Sequence, residues 1–255
     1  MEAAAELAQI AGMNAMRYYK TRLDADVKED GSPVTIADRS SERLAREWIE
    51  RRFPSDGILG EEYGSVRMDA RRRWIIDPID GTKSFIHGVP FWGSLVAVVE
   101  DEEVIAGAAS FPALGESLSA ALGSGCWWNG EKCKVSGVSD IASATVLTSD
   151  AAFDGQSKLL PAWLELATAA AISRTWGDCV GYLLVATGRA EVMADPVVSA
   201  WDVAALMPAI MEAGGVFTSW AGEASAFKGS AIATNAVLAA EVRHILQIKS
   251  GAGVR

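Results

Sequence analysis

Chemistry can be read first at Asp77 and Asp80. They lie three residues apart in Trp74-Ile75-Ile76-Asp77-Pro78-Ile79-Asp80-Gly81-Thr82-Lys83-Ser84-Phe85. The apolar run Trp74–Ile76 predicts the end of a buried strand. Pro78, which has no N–H for a ladder, is expected to stop that strand. Gly81 lets the backbone come close to another group, and the amides of Gly81 and Thr82 point outward if a helix begins there. Carboxylates beside free amides suit a hard divalent cation carrying a phosphate, with oxygens on the metal and N–H groups on the anion. The stretch alone leaves open a plainer alternative, a strand-to-turn corner with solvated acids, because Asp-Gly is ordinary turn chemistry.

Four further acids fall where elements should begin or end. Asp38 follows the polar loop from Asp26 and stands where an N-cap belongs, ahead of a helix marked by Leu44, Trp48 and Ile49 and ended by Pro54. Ile58-Leu59-Gly60 predicts a short strand that delivers Glu61 and Glu62. Adjacent glutamates are also common as plain surface charge. Asp202 opens a helix expected from Trp201 to Glu212, closed by Gly214-Gly215. The acidic positions have no evident Lys or Arg to compensate them. If the substrate is a phosphate, metal ions must supply the positive field.

The elements that would position these acids follow from periodicity. Met1 to Lys20 reads as an amphipathic helix through Leu7, Ile10, Ala11 and Met16, with no basic segment of the signal-peptide kind. Gly93 to Ala109 reads as two strands, Glu116 to Leu122 as a third, and Asn129-Gly130 as a hairpin turn. The first half is therefore expected to be an antiparallel sheet with helices on one side. A Ser/Gly/Asp-rich passage, Ser136 to Ser143, marks a boundary between subdomains at 1–138 and 139–255. Beyond it strands and helices alternate. Strands are expected at Thr145–Ser149, Glu191–Ala194, Val216–Trp220 and Ser230–Thr234, and helices at Lys158–Ala170, Asp178–Gly188 and Ala236–Ile248. That alternation predicts an α/β layer.

Composition excludes several classes of function. A net charge of −10 over 255 residues argues against nucleic acid or an anionic membrane as partner. No apolar run reaches the roughly 18 residues needed to span a bilayer. Cys126, Cys133 and Cys179 form an odd set without metal-ligand spacing, as expected of free thiols in a reducing cytoplasm. With only His87 and His244 available, Ser-His or Cys-His catalysis is not expected.

Taken together, Gly60-Glu61-Glu62, Asp77-Pro78-Ile79-Asp80-Gly81-Thr82 and Trp201-Asp202-x-Ala-Ala resemble the signature motifs of the inositol-monophosphatase family, in the same order and at similar intervals. Pro33 to Asp38 resembles that family's upstream Thr-x-x-Asp element. The resemblance runs from the first helix to Asn235. It implies an α/β fold, α+β in its first half, layered α/β/α/β/α, and Mg²⁺-dependent hydrolysis of a small phosphate monoester by a cytoplasmic homodimer. By position it implies Glu61, Asp77 and the Ile79 carbonyl on one Mg²⁺ and Asp77, Asp80 and Asp202 on a second, with two or three ions per site. Glu62 and Thr82 would orient the attacking water, Asp38 would hold the Thr82 hydroxyl, and the Gly81 and Thr82 amides would bind phosphate.

Gly177-Asp178-x-x-Gly181-Tyr182, together with Asp80-Gly81-Thr82-Lys83-Ser84-Phe85, looks most like the histidinol-phosphate phosphatase branch. This implies conversion of L-histidinol phosphate to L-histidinol in histidine biosynthesis. Inositol 1-phosphate and adenosine 3′,5′-bisphosphate are the alternative substrates. Asp178 and Asp195 would face the leaving group on the cleft rim, where carboxylates suit a cationic amino alcohol. Helix capping for Asp178 and an Asp-Pro turn for Asp195 explain the same residues equally well. From a different class, a catalytically silent metal-binding scaffold would share the acids but has no need of Thr82.

Overall fold

The computed structural model describes residues 1–28 and 31–247. Helix α1 (Glu2–Met16) buries Ala4, Leu7, Ala8, Ala11 and Ala15 at helical spacing. A small antiparallel ribbon, β1 (Ala25–Val27) with β2 (Pro33–Thr35), leads into α2 (Ile36–Arg52). The large sheet comprises β3 (Gly57–Gly60), β4 (Gly64–Val66), β5 (Arg72–Asp80), β6 (Gly93–Glu100), β7 (Glu103–Phe111), β8 (Glu116–Ala121), β9 (Gly125–Trp128) and β10 (Glu131–Cys133), with the one-turn helix α3 (Thr82–Ile86) after β5. Its strand order is β10-β9-β8-β7-β6-β5-β3-β4. All neighbours are antiparallel except β3 and β5, which run parallel. Asn129 (φ 50°) and Gly130 (φ 82°) make the two-residue turn between β9 and β10.

The second sheet, in the order β12-β11-β13-β15-β14, follows from β11 (Thr145–Leu147), β12 (Ile172–Arg174), β13 (Val192–Asp195), β14 (Val216–Thr218) and β15 (Ala231–Thr234). Between these strands lie α4 (Leu160–Ala169), α5 (Asp178–Ala186), α6 (Ala200–Val203) and α7 (Leu206–Glu212), and α8 (Ala239–Ile245) follows β15. β11 is parallel to β12 and β13, whereas β15 is antiparallel to both of its neighbours.

Strand alternation decides which layer each apolar residue serves. Trp74 and Ile76 of β5 face α1 and α2, packing with Leu7, Trp48 and Ile49. Ile75 between them faces the other way, onto a central layer where Leu183, Leu206 and Ile210 separate the two sheets. In the second sheet Met193 joins that central layer, while Val192 and Ala194 face Trp163 and Leu166 of α4 and Val242 of α8. The order of layers is thus helix, sheet, helix, sheet, helix. Gly107 of β7 lies directly under the backbone of Ala205, so a Cβ there would overlap the central layer. Among the described residues no helix is long and apolar enough to cross a membrane.

Several expectations change. Helices cover both faces of the large sheet, because its second face, apolar through Ile75, Leu95 and Ala97, needs a partner as much as the first. Pro78 does not stop β5. The strand runs on to Asp80 through an irregularity between Asp77 and Asp80, the kind of place where a missing N–H costs no ladder bond. The N-cap of α2 is Thr35 rather than Asp38, which stands three residues later and completes a capping box. The helix expected over Trp201–Glu212 breaks into α6 and α7. Pro208, unable to donate to a preceding carbonyl, is placed in the first turn of a new helix. Glu29, Asp30 and Ile248, which fell within the expected loop and last helix, lie outside the described residues.

Candidate active site

Two chain segments, β5 and α6, bring three carboxylates to one point. Asp77 pairs with Leu95 and Asp80 with Gly93, and the register shift between them turns both acids toward the same side. Ser94 holds this bulge by donating its hydroxyl to the Pro78 carbonyl at 2.6 Å. Asp202 arrives on α6, where its Oδ2 accepts the Ser199 N–H at 2.7 Å in a capping box. One oxygen from each of Asp77, Asp80 and Asp202 lies within 4.8 Å of the others.

Such a gathering is electrostatically expensive without a cation. Burial, reinforced by the charges of Glu61, Asp80 and Asp202, pushes Asp77 well above the usual carboxylate range. Burial and the charges of Asp178 and Asp202 do the same to Asp80, against the opposing N–H of Cys179. Burial, partly offset by Ser199, pushes Asp202 up to about 7. Buried oxygens that repel one another in this way fit a hard divalent ion, whose charge would replace the protons these groups otherwise take up.

The parallel pairing of Gly60 with Ile76 sets Glu61 beside Asp77. Glu61 is nevertheless engaged elsewhere. Its Oε1 receives Lys28 Nζ at 2.6 Å, and the same ammonium reaches Glu62 Oε1 at 2.5 Å. Burial by itself would depress the Lys28 ammonium, but the two glutamates outweigh it and hold the group above the ordinary lysine range. Burial, against Lys28, pushes Glu62 up to about 7. The acids therefore do have a local cation, contrary to the sequence expectation. Lys28 lies 33 positions from Glu61, and nothing in the pattern marks it.

Thr82 opens α3, which Phe85 anchors against Trp92 (ring centroids 4.8 Å apart) and Tyr19 (5.6 Å). Its hydroxyl donates to the Ile79 carbonyl at 2.9 Å and stands 3.3 Å from Asp38 Oδ1. The other Asp38 oxygen accepts the Thr35 N–H and hydroxyl at 2.8 and 2.7 Å. Burial raises Asp38, with those Thr35 bonds opposing. Gly81 has φ 85°, and a Cβ there would fall 2.6 Å from the Phe91 carbonyl, so only glycine fits.

Across from Gly81 stands Asp178, whose Oδ2 would lie 3.2 Å from such a Cβ. It is the first residue of α5, behind the N-cap Gly177, at φ 50°, and its N–H donates to Ser149 Oγ at 2.7 Å. Burial, together with the charge of Asp195 and against that of Lys83, pushes it up to about 6. Asp195 is not on the rim. At 3% exposure it lies beneath, its oxygens taking the Ser149 N–H and the Tyr182 hydroxyl, each at 2.9 Å. Burial likewise pushes it up to about 6.

Of these acids Glu61, Asp178 and Asp202 line a cavity of about 390 Å³, together with Thr82, Lys83 and Trp201. It adjoins a recess of about 80 Å³ bounded by Asp80, Asp178, Tyr182 and Asp195. A larger cleft of about 600 Å³ between α1 and the β7–β8 turn contains none of the clustered acids. Converging titratable groups, rather than volume, make the first cavity the candidate site. Sequence reasoning missed Lys28, Ser149 and Glu42. Only Glu42 carried a signal, standing one helical turn after Asp38 on the same face of α2.

The chain matches the inositol monophosphatase family over residues 1–249. It is 41% identical over 233 residues to a histidinol-phosphatase of Chlorobaculum parvum, covering 91% of this chain and 90% of that one. Identity to a histidinol-phosphatase of Mycobacterium tuberculosis is 40%, with 90% of each chain covered. The structure superposes on the Thermotoga maritima IMPase with a TM-score of 0.86, at 32% identity and over 96% of each chain.

Proposed function

The chain belongs to the inositol monophosphatase family, and from that premise we propose that it hydrolyses L-histidinol phosphate to L-histidinol and phosphate, using Mg²⁺. Asp77, Asp80 and Asp202 would hold one ion. Glu61, Asp77 and the Ile79 carbonyl would hold another, and a third ion would be compatible with so many carboxylates. The Ile79 oxygen keeps a lone pair for this beyond the one that accepts from Thr82. Bound Mg²⁺ supplies the positive field for the phosphate oxygens and lowers the pKa of a coordinated water.

The remaining work falls to the protein. Thr82, beside both Asp38 and Ile79, and Glu62, buried and raised toward neutrality, orient the water and take its proton. The N–H groups of Gly81 and Thr82, at the start of a helix and without intrahelical partners, meet the phosphate. Water attacks directly. The thiol nearest the cluster, Cys179, is buried and held far above the ordinary thiol range, which leaves it protonated and a poor nucleophile.

One observation carries the choice of substrate. Asp178 is a second, separate carboxylate on the cavity wall, across from Gly81 and outside the three-acid cluster. A carboxylate that burial has already made costly is relieved by an ammonium in the leaving group and gains nothing comparable from a polyol. Asp195 lies behind it and strengthens the local negative field. We extend the proposal to a homodimeric, cytoplasmic enzyme of histidine biosynthesis.

The test is a panel of histidinol phosphate, inositol 1-phosphate, fructose 1,6-bisphosphate and adenosine 3′,5′-bisphosphate at saturating Mg²⁺. We expect kcat/KM for histidinol phosphate to exceed the others by at least about tenfold, the worth of one charge-assisted hydrogen bond. A preference for inositol 1-phosphate refutes the substrate assignment, and no Mg²⁺-dependent turnover of any of the four refutes the enzyme.

A further inference from the structure

We propose that Glu42 is a positioning residue for Glu61 and Glu62, its carboxylate on α2 holding the backbone turn that brings both side chains together on Lys28, with Glu61 on the cavity wall. Adjacent residues of an extended strand point to opposite faces. For Glu61 and Glu62 to serve one site, the chain must leave strand geometry at once. It does so in the three-residue turn 61–63 between β3 and β4, closed by the pairing of Gly60 with Gly64. That turn leaves the N–H groups of Glu62 and Tyr63 with no strand partner, and both donate to Glu42. Glu62 N–H meets Oε2 at 2.7 Å and Tyr63 N–H meets Oε1 at 3.1 Å.

Glu42 is 0% exposed, so the whole acceptor capacity of its carboxylate is spent inside the protein. Arg46, one turn further along α2, donates Nε to Oε1 at 2.7 Å and its other arm to the Gly64 carbonyl. One carboxylate and one guanidinium thus hold the backbone at 62, 63 and 64. Gly60 belongs to the same device, because a Cβ there would overlap the Glu42 carboxylate and the Arg46 guanidinium. Asp38 and Glu42, four residues apart, form a ladder on α2. The upper rung faces the Thr82 hydroxyl, and the lower one sets Glu62. Helix α2 thereby fixes the relative placement of both groups assigned to the water.

An i,i+4 ion pair that merely stabilised α2 would predict otherwise. Its loss would lower the melting temperature and leave the turn and the metal affinity of the folded protein untouched. Glu42→Gln keeps the shape but puts an NH₂ where Arg46 or a backbone N–H already donates. In metal-free protein we expect hydrogen-exchange protection of the Glu62 and Tyr63 amides, read by NMR, to fall at least about tenfold, the scale of one hydrogen bond to a charged acceptor. Protection in α1 and β6 should stay within about twofold. Calorimetric Mg²⁺ affinity should weaken several-fold, with kcat lowered even at saturating Mg²⁺. Glu42→Asp keeps the charge one methylene short and should fall between wild type and Glu42→Gln, and it carries the same measurements if the glutamine variant does not fold.

The metal and turnover arms rest on the roles proposed above for Glu61 and Glu62, whereas the exchange arm does not. A wild type without Mg²⁺-dependent turnover refutes those roles alone. Unchanged protection at residues 62 and 63, or a lowered melting temperature with unchanged Mg²⁺ affinity and kcat, overturns the positioning role.

Discussion

Replacing Asp178 by Asn removes one charge from the cavity wall and keeps the side-chain shape. The carboxyl, pushed up to about 6 by burial and the neighbouring Asp195, is still ionised at pH 7.5 and available to an ammonium. A hydrogen bond between two ionised groups contributes roughly 1.5–3 kcal/mol, or about ten- to a hundredfold in kcat/KM. Lys83 already offsets part of the Asp178 charge, which places the expected loss toward the lower end. Phosphate release should therefore fall about ten- to thirtyfold with histidinol phosphate and less than about threefold with a neutral ester such as inositol 1-phosphate. The same variant should melt higher than wild type in the metal-free state at pH 7.5. The sign follows from the raised pKa. Asp178 favours the folded state below its unfolded value of 3.8, and that contribution is lost as pH rises through about 6. The advantage of Asn should be absent near pH 4, grow as pH rises and be complete above about pH 6. An equal loss on both substrates would refute the reasoning, because it would mean that Asp178 acts through the Asp80 cluster and not on the leaving group.

Asp80→Asn should abolish calorimetric Mg²⁺ binding and turnover together, whereas Thr82→Ala should bind Mg²⁺ nearly normally and lose about a hundredfold or more in kcat. Loss of binding in both variants contradicts the division of roles. Saturating Mg²⁺ should raise the melting temperature over an EDTA control by roughly 5–10 °C at a hundredfold excess over Kd, and identical midpoints would contradict a metal site. Lys28→Met frees Glu61 and Glu62 from their ammonium, which should lower the Mg²⁺ concentration for half-maximal activity several-fold while destabilising the metal-free protein; a higher Mg²⁺ requirement contradicts the competition. Gly107→Ala forces a methyl into the Ala205 backbone and should cost about 1–3 kcal/mol, some 2–10 °C in melting temperature.

Short-range chemistry made part of this protein legible in one dimension. The spacing of Asp77, Asp80 and Gly81 is local, as is the Asn129-Gly130 turn, and both lie where the pattern puts them. Alternating strands and helices after residue 139 announced a layered α/β arrangement, because period and length are written into each segment. Pro78 shows where local rules fail. Its missing N–H predicts an ending, but it falls in a bulge of β5 itself, held by the Ser94 hydroxyl of the partner strand β6, and β5 continues.

Other features depend on which segments meet, and no local property carries that. Asp202 joins Asp77 and Asp80 only because α6 packs over β5 and β6. Asp178 and Asp195 read alike in the sequence, yet one lines the open cavity and the other lies deeper, bounding the small recess beside it and bonded to Ser149 and Tyr182. Lys28 and Glu42 look like ordinary charges of a loop and a helix face. They reach the Glu61–Glu62 turn only because the parallel pairing of β3 with β5 carries that turn up against α2 and the β1–β2 ribbon. Residue types could be read from the sequence because they are chosen for their own chemistry. Their partners could not, because a partner is set by the register and packing of elements distant in the chain.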